Sequence, residues 1–196
     1  MQNLLSYKKL QKWSNGNNES NFKLEYVNYI DEEILNFIKF NQKNEISLKN
    51  NVFLEWILKY PWVLQGTLTD ELKSKYYFTS IERTFSFLYL KVSDISGNVI
   101  GFLVMRLRDN HLTVPYLYYE TKYIGEIVTI IWQHIYNLKI KTFTTYRTEI
   151  HQYIIEKQLP FIKINYFLRY YVLSKEIENN ISNYNLQDGD GDAIFT

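Results

Sequence analysis

Asn98-Val-Ile-Gly-Phe-Leu-Val-Met-Arg-Leu-Arg108, Asp109-Asn-His111 and Leu112-Thr-Val-Pro-Tyr-Leu-Tyr-Tyr119, with the chain that follows to Arg147, decide the fold. They read as strand, tight turn, strand, long helix, strand. The helix runs from Tyr123 to about Leu138, and Lys141 to Tyr146 is the closing strand. A strand, helix, strand unit of this length is a parallel crossover, right-handed almost without exception. In an open α/β sheet the ligand crevice lies at the carboxyl ends of the strands. That rule singles out the loop Glu120-Thr-Lys-Tyr-Ile-Gly125.

Upstream, Phe22 to Ile30 alternates apolar and polar residues and predicts a strand. Asp31 then caps a helix with Glu32 and Glu33 in its first turn, where the helix dipole favours acids. A second helix is expected over Asn51 to Tyr60, ended by Pro61. Tyr76 to Ser80 and Phe85 to Val92 are strand-like, and Ser96-Gly97 turns the second of these back into Asn98. Pro115 offers no ladder donor, which predicts an edge or a bulge that splays the strands of the crossover. Downstream, Thr148 caps a helix through Gln158, and Pro160 marks its end. Phe161 to Asn165 and Leu168 to Leu173 read as two short strands. The fold class is therefore α/β: a single domain with a mixed, mostly antiparallel sheet and helices on both faces. Residues 1–21 form a flexible lead-in, 22–175 the domain, and 176–196 an acidic tail that docks on it through Ile194 and Phe195 or lies in solvent.

Composition narrows the function classes. The chain has 196 residues, 46% hydrophobic and 17% aromatic, enough for one well-packed core. A net charge of +1 gives no bulk attraction to nucleic acid or to an acidic membrane. The absence of cysteine excludes disulfides, thiolate metal sites and a cysteine nucleophile, and fits a cytoplasmic location. No apolar run reaches the length of a membrane span. His111, His134 and His151 lack a metal-ligand spacing, so no metal is expected. Asp188, Asp190 and Asp192 imitate the start of a calcium loop, but Ala193 stands where that loop needs glycine.

The element order resembles the GNAT acyltransferase superfamily, from about Phe22 to Leu173. Trp56, Pro61-Trp62 and the ending Asp188-Gly-Asp-Gly-Asp-Ala-Ile-Phe-Thr196 look like a bacterial subgroup near the CelD-type acetyltransferases. The resemblance implies the acyl-CoA N-acyltransferase fold, with acetyl-CoA or another acyl-CoA as co-substrate. Its phosphate-cradling loop has an Arg or Gln, two free positions, Gly, one free position, then Gly or Ala. Here only Gly125 keeps that pattern; Glu120 and Tyr123 replace the first polar residue and the first glycine. Carried over, it places the acyl thioester beside Tyr116, Leu117 and Tyr118, and the pyrophosphate on backbone amides of Lys122, Tyr123, Ile124 and Gly125, with Lys122 adding a point charge. The family's tyrosine acid is replaced by Ile155, so no catalytic residue is assigned. The expected activity is transfer of an acyl group, acetyl by the resemblance, to an amine or hydroxyl of a small-molecule or peptide acceptor. The alternative is a degenerate GNAT-fold binding or scaffolding domain, dimerising through its C-terminal strands.

Overall fold

The computed structural model describes residues 22–60, 63–65, 81–166, 168, 170 and 184–190. Its elements in chain order are β1 (Phe22–Val27), α1 (Glu32–Asn41), α2 (Asn51–Lys59), β2 (Leu64–Gln65), β3 (Ile81–Glu82), β4 (Phe85–Asp94), β5 (Val99–Arg108), β6 (His111–Tyr119), α3 (Ile124–Asn137), β7 (Thr142–Thr144) and α4 (Thr148–Glu156), with a 3-10 turn at Thr121–Tyr123 leading into α3. Five strands form one sheet in the order β1-β4-β5-β6-β7. The β1–β4, β4–β5 and β5–β6 pairs are antiparallel and β6–β7 is parallel, as the crossover requires. β2 and β3 pair apart from it as a two-residue parallel ladder.

Helices cover both faces. β5 is buried at every residue from Val99 to Arg106, the mark of a strand with no solvent face. On one face Leu103, Met105, Leu112 and Leu117 pack against Ile127, Val128, Ile131 and Trp132 of α3 and Ile150 and Ile154 of α4. On the other, Tyr89, Phe102, Val104, Tyr116 and Tyr118 pack against Ile34 and Ile38 of α1 and Leu54 and Ile57 of α2. Local chemistry starts the first two helices: Asp31 accepts from Ile34 N at 2.7 Å, and Asn50 accepts from Phe53 N at 2.9 Å.

Pro115 sits in a bulge. Val104 pairs with Tyr116 and Arg106 with Thr113, so Val114 and Pro115 together oppose Met105. The β6–β7 ladder covers only His111–Thr142, Leu112–Phe143 and Thr113–Thr144, and it stops just before the proline. Pro115 directs its carbonyl toward that edge but has no N–H to give it, so the ladder cannot run through it.

Two expectations need correction. Arg147, not Thr148, holds the N-cap position of α4, and no side chain caps that helix, because Thr148 is already helical. Phe161 to Asn165 forms no strand. Phe161 N bonds back to Leu159 O at 2.7 Å, and its ring lies edge-on to Trp132 at 4.8 Å, so the alternating pattern there reflects one-sided packing. Of the two readings of the acidic segment, docked or in solvent, Asp188 and Asp190 follow the first: each is 8% exposed. Tyr76 to Ser80, most of Leu168 to Leu173, and Ile194 and Phe195 lie outside the described residues.

Candidate functional site

Beyond Thr113 and Thr144 the parallel strands part, and the gap is filled by the chain itself. Gly189 N donates to Pro115 O at 2.7 Å, and Tyr116 Oη donates to Gly189 O at 3.1 Å. Leu117 N donates to the Gln187 side-chain oxygen at 3.1 Å. Leu117 O accepts from Arg147 Nη2 at 2.8 Å and from Gln187 Nε2 at 3.3 Å. Across the gap, the Asp188 carboxylate accepts from the Thr145 hydroxyl and from Tyr146 N, both at 3.0 Å. Gln187 to Gly189 thus form a wedge between β6 and the residues that follow β7.

Buried charge holds the wedge. Lys49, 1% exposed, meets Asp190 at 2.6 Å, Glu45 at 3.5 Å and the Ser47 carbonyl. Its ammonium also lies 5.4 Å from the centre of the Tyr116 ring. Glu45 accepts from Tyr118 Oη at 3.2 Å and from Gln187 Nε2. A cation this deep is tolerated only with such partners. Burial, with Glu45 beside it, pushes the Tyr118 hydroxyl far above its ordinary range, so it stays a neutral donor.

What remains of the crevice at the carboxyl ends of β6 and β7 is a polar opening of about 350 Å³. Tyr119, Thr121, Arg147, Glu149, Asn185 and Gln187 are among its walls. Tyr119 Oη donates to Glu149 at 3.3 Å, and Arg147 Nη1 to the same oxygen at 3.0 Å. Burial, reinforced by Glu149, pushes the Tyr119 hydroxyl up to about 12. Burial alone would raise the Glu149 carboxyl, but its own backbone amide, Arg147 and Tyr119 outweigh that and hold it below the usual carboxylate range. A larger groove of about 640 Å³ runs along β7 past Phe143, Ile154, Phe161 and Tyr166.

The residues assigned to acyl-CoA fall into two groups. Tyr116, Leu117 and Tyr118 do line the splay, but the Tyr116 and Tyr118 rings are in the core, and both polar backbone atoms of Leu117 meet Gln187 or Arg147. In the loop, Lys122 pairs with Glu120 at 2.9 Å. Tyr123 N bonds to Glu120 O and Ile124 N to Thr121 O, so two of the expected phosphate donors are engaged. The Tyr123 ring packs edge-on against Phe22 at 5.9 Å. Gly125 has a packing reason: a Cβ there would come within 2.9 Å of the Tyr153 hydroxyl. With residues 187–189 in place, the residues present do not fit an acyl-CoA.

Sequence reasoning missed Glu45, Lys49, Arg147 and Gln187. The three histidines serve local bonds: His111 with Thr144 at 2.9 Å, His134 with Ile130 O and Tyr26, and His151 with Tyr166 at 3.4 Å. Among the described residues no cluster of three or more His, Cys, Asp or Glu could hold a metal ion, and no helix is long and apolar enough to cross a membrane.

No protein-family model matches the chain, and no curated protein matches it. Among solved structures, L-PGS from Bacillus licheniformis aligns with a TM-score of 0.37 and 11% identity, over 76% of this chain and 45% of its own length. A likeness at that level carries no argument about fold family or function.

Proposed function

We propose that the chain is a GNAT-like domain that binds a small polar ligand in the crevice beside Tyr119 and Arg147, without acyl-CoA-dependent transfer. One observation carries this reading: the β6 edge from Pro115 to Leu117, where an extended acyl carrier would have to pair, is taken by Gln187 to Gly189. The loop that would hold the diphosphate adds to it, because Glu120 sets a carboxylate beside Lys122 and repels anions. Titration calorimetry of the full chain with acetyl-CoA tests it. No binding is expected at ligand concentrations up to roughly 1 mM, the weak end of specific affinity. Micromolar binding would overturn the proposal.

The second reading is a GNAT-type acyltransferase acting on an amine or hydroxyl acceptor. It is favoured by the parting of β6 and β7 after Thr113 and Thr144, which leaves a crevice where α/β sheets hold ligands. On that reading residues 187–189 must leave before a donor binds. The neutral Tyr119 hydroxyl would then be a proton donor in the crevice wall, oriented by Glu149.

A further inference from the structure

We propose that the splay between β6 and Thr145–Arg147 is a recognition slot for an acidic peptide folded in a tight turn, and that Gln187-Asp-Gly-Asp190, in which Asp190 N bonds to Gln187 O at 3.0 Å, is its resident ligand, bound in cis. Each residue of the segment is read separately. Gln187 is read by Leu117, Arg147 and Glu45, and Asp188 by the Thr145 hydroxyl and the Tyr146 amide. Gly189 is read by exclusion: a Cβ would lie 2.7 Å from Tyr116 Cζ and 2.9 Å from Pro115 Cβ. Asp190 is read by Lys49, a lysine with no exposure of its side chain. The Gly189–Pro115 bond is main chain to main chain and fixes the turn on the β6 edge. A segment that merely folded over the sheet would need neither a buried ammonium for Asp190 nor an obligatory glycine between Asp188 and Asp190.

Cis occupancy follows from tethering. A tethered segment sees its slot at an effective concentration on the order of millimolar. A segment with a free affinity near 10 μM, about 7 kcal/mol, would therefore occupy the slot roughly a hundredfold more often than it leaves. The inference rests on the reading that the slot does not serve acyl-CoA, yet its test is separate.

The test uses the full chain carrying Gly189→Val, which expels the segment and leaves every residue of the slot in place. Fluorescence anisotropy then follows a labelled peptide with the sequence of residues 183–190. The folded variant, checked by circular dichroism, is expected to bind it at micromolar level, and the wild-type chain at least about tenfold more weakly because its own segment competes. A peptide carrying the same Gly-to-Val change, and one with the final Asp changed to Asn, are each expected to lose about tenfold or more, since one meets the Tyr116 wall and the other loses its charge on Lys49. Failure of the folded variant to bind the wild-type peptide, or equal binding of all three peptides, would overturn the inference. If Gly189→Val does not fold, Gln187→Ala combined with Asp190→Ala expels the segment by removing its anchors and serves the same arms. Acetyl-CoA binding by the wild-type chain would refute the non-transferase reading, whereas loss of peptide binding alone would refute only the slot.

Discussion

The two edges of β6 are built on different principles. Toward β5 the strand is paired from His111–Arg108 to Tyr119–Gly101, with one bulge at Pro115. Toward β7 it is paired for three residues and then met by a wedge of side chains, one glycine and a buried lysine. The first edge spreads its free energy over many equivalent main-chain bonds between two hydrophobic layers. The second concentrates it in a few charge-assisted contacts, each worth about twice a neutral hydrogen bond. A distributed edge fails only when the whole domain fails. A concentrated edge can open by itself, which is the property a site needs.

The strongest challenge to this contrast is a cavity on the paired side. Leu103 is fully buried and lies opposite Leu117. Leu103→Ala is expected to cost about 2–5 kcal/mol of global stability. Urea denaturation should show one cooperative transition at a lower midpoint. If the C-terminal segment came off at lower urea than the sheet unfolds, in the wild type as in the variant, the two edges would be thermodynamically separate units.

Lys49→Met strikes the other edge. Breaking a buried ion pair costs about 3–5 kcal/mol when the orphaned partner cannot escape. Asp190 can escape, because the segment that carries it can swing into water, and its departure opens Glu45, which lines the crevice, to solvent, so the cost is capped near the docking free energy of the segment. The expected result is a small change in global midpoint. Hydrogen exchange at the Leu117 and Gly189 amides should speed up by about tenfold or more, while Val104 keeps its protection. A drop in global stability as large as that of Leu103→Ala would show the wedge to be part of the sheet's own core.

How much of this was legible in the sequence follows the same division. The paired edge was readable because its signals are local: alternation in Phe22 to Val27, the Asp31 cap, the Ser96-Gly97 turn, the apolar stripe of α3 and the proline in β6. The wedge was not, because its partners are far apart. Gln187 meets Glu45 across 142 positions, and no periodicity marks Lys49, which sits in a connection between helices. Asp188 and Asp190 read as solvated because their counter-groups come from elsewhere in the chain. The one local sign was Gly189 between two acids, a position where a Cβ would come within 2.7 Å of the Tyr116 ring. Phe161 to Asn165 misled for the converse reason: alternation records one buried side, and a partner strand is a separate requirement.

Acid should loosen the paired side gradually. His134 is 7% exposed; its Nδ1–H donates to Ile130 O at 2.7 Å, leaving Nε2 to accept from Tyr26 Oη at 2.7 Å. Burial lowers its affinity for a proton below the ordinary value of 6.5. His111 shifts the same way, by burial and then by Arg106 and Arg108. The unfolded chain therefore binds more protons as pH falls below 6.5, so stability is full above that value and declines through the window down to the folded pKa. Urea midpoints should be level at neutral pH and fall toward about pH 5, and His134→Gln should flatten part of the slope. A wild-type midpoint independent of pH across that window would mean that the imidazole charges without cost.

The smallest expected effect lies in the loop that topology nominated first. Lys122 is 66% exposed, and its pair with Glu120 is a surface pair, screened by solvent and of little weight in stability. Lys122→Ala should leave the urea midpoint unchanged within error. Its value lies in ligand binding. If the loop cradled a diphosphate, removing the Lys122 ammonium would weaken acetyl-CoA binding by about tenfold, the usual size of a charge-assisted contact. If the β7-side edge is a peptide slot, the substitution should change neither acetyl-CoA binding, absent in both proteins, nor capture of the 183–190 peptide by Gly189→Val. Lys122 contacts Glu120 and the Tyr123 ring, whereas the segment is held by Lys49 and Arg147. The same substitution therefore asks which cation at this end of the sheet does the recognising: an exposed one already balanced by a neighbouring carboxylate, or a buried one whose acid arrives from the other end of the chain.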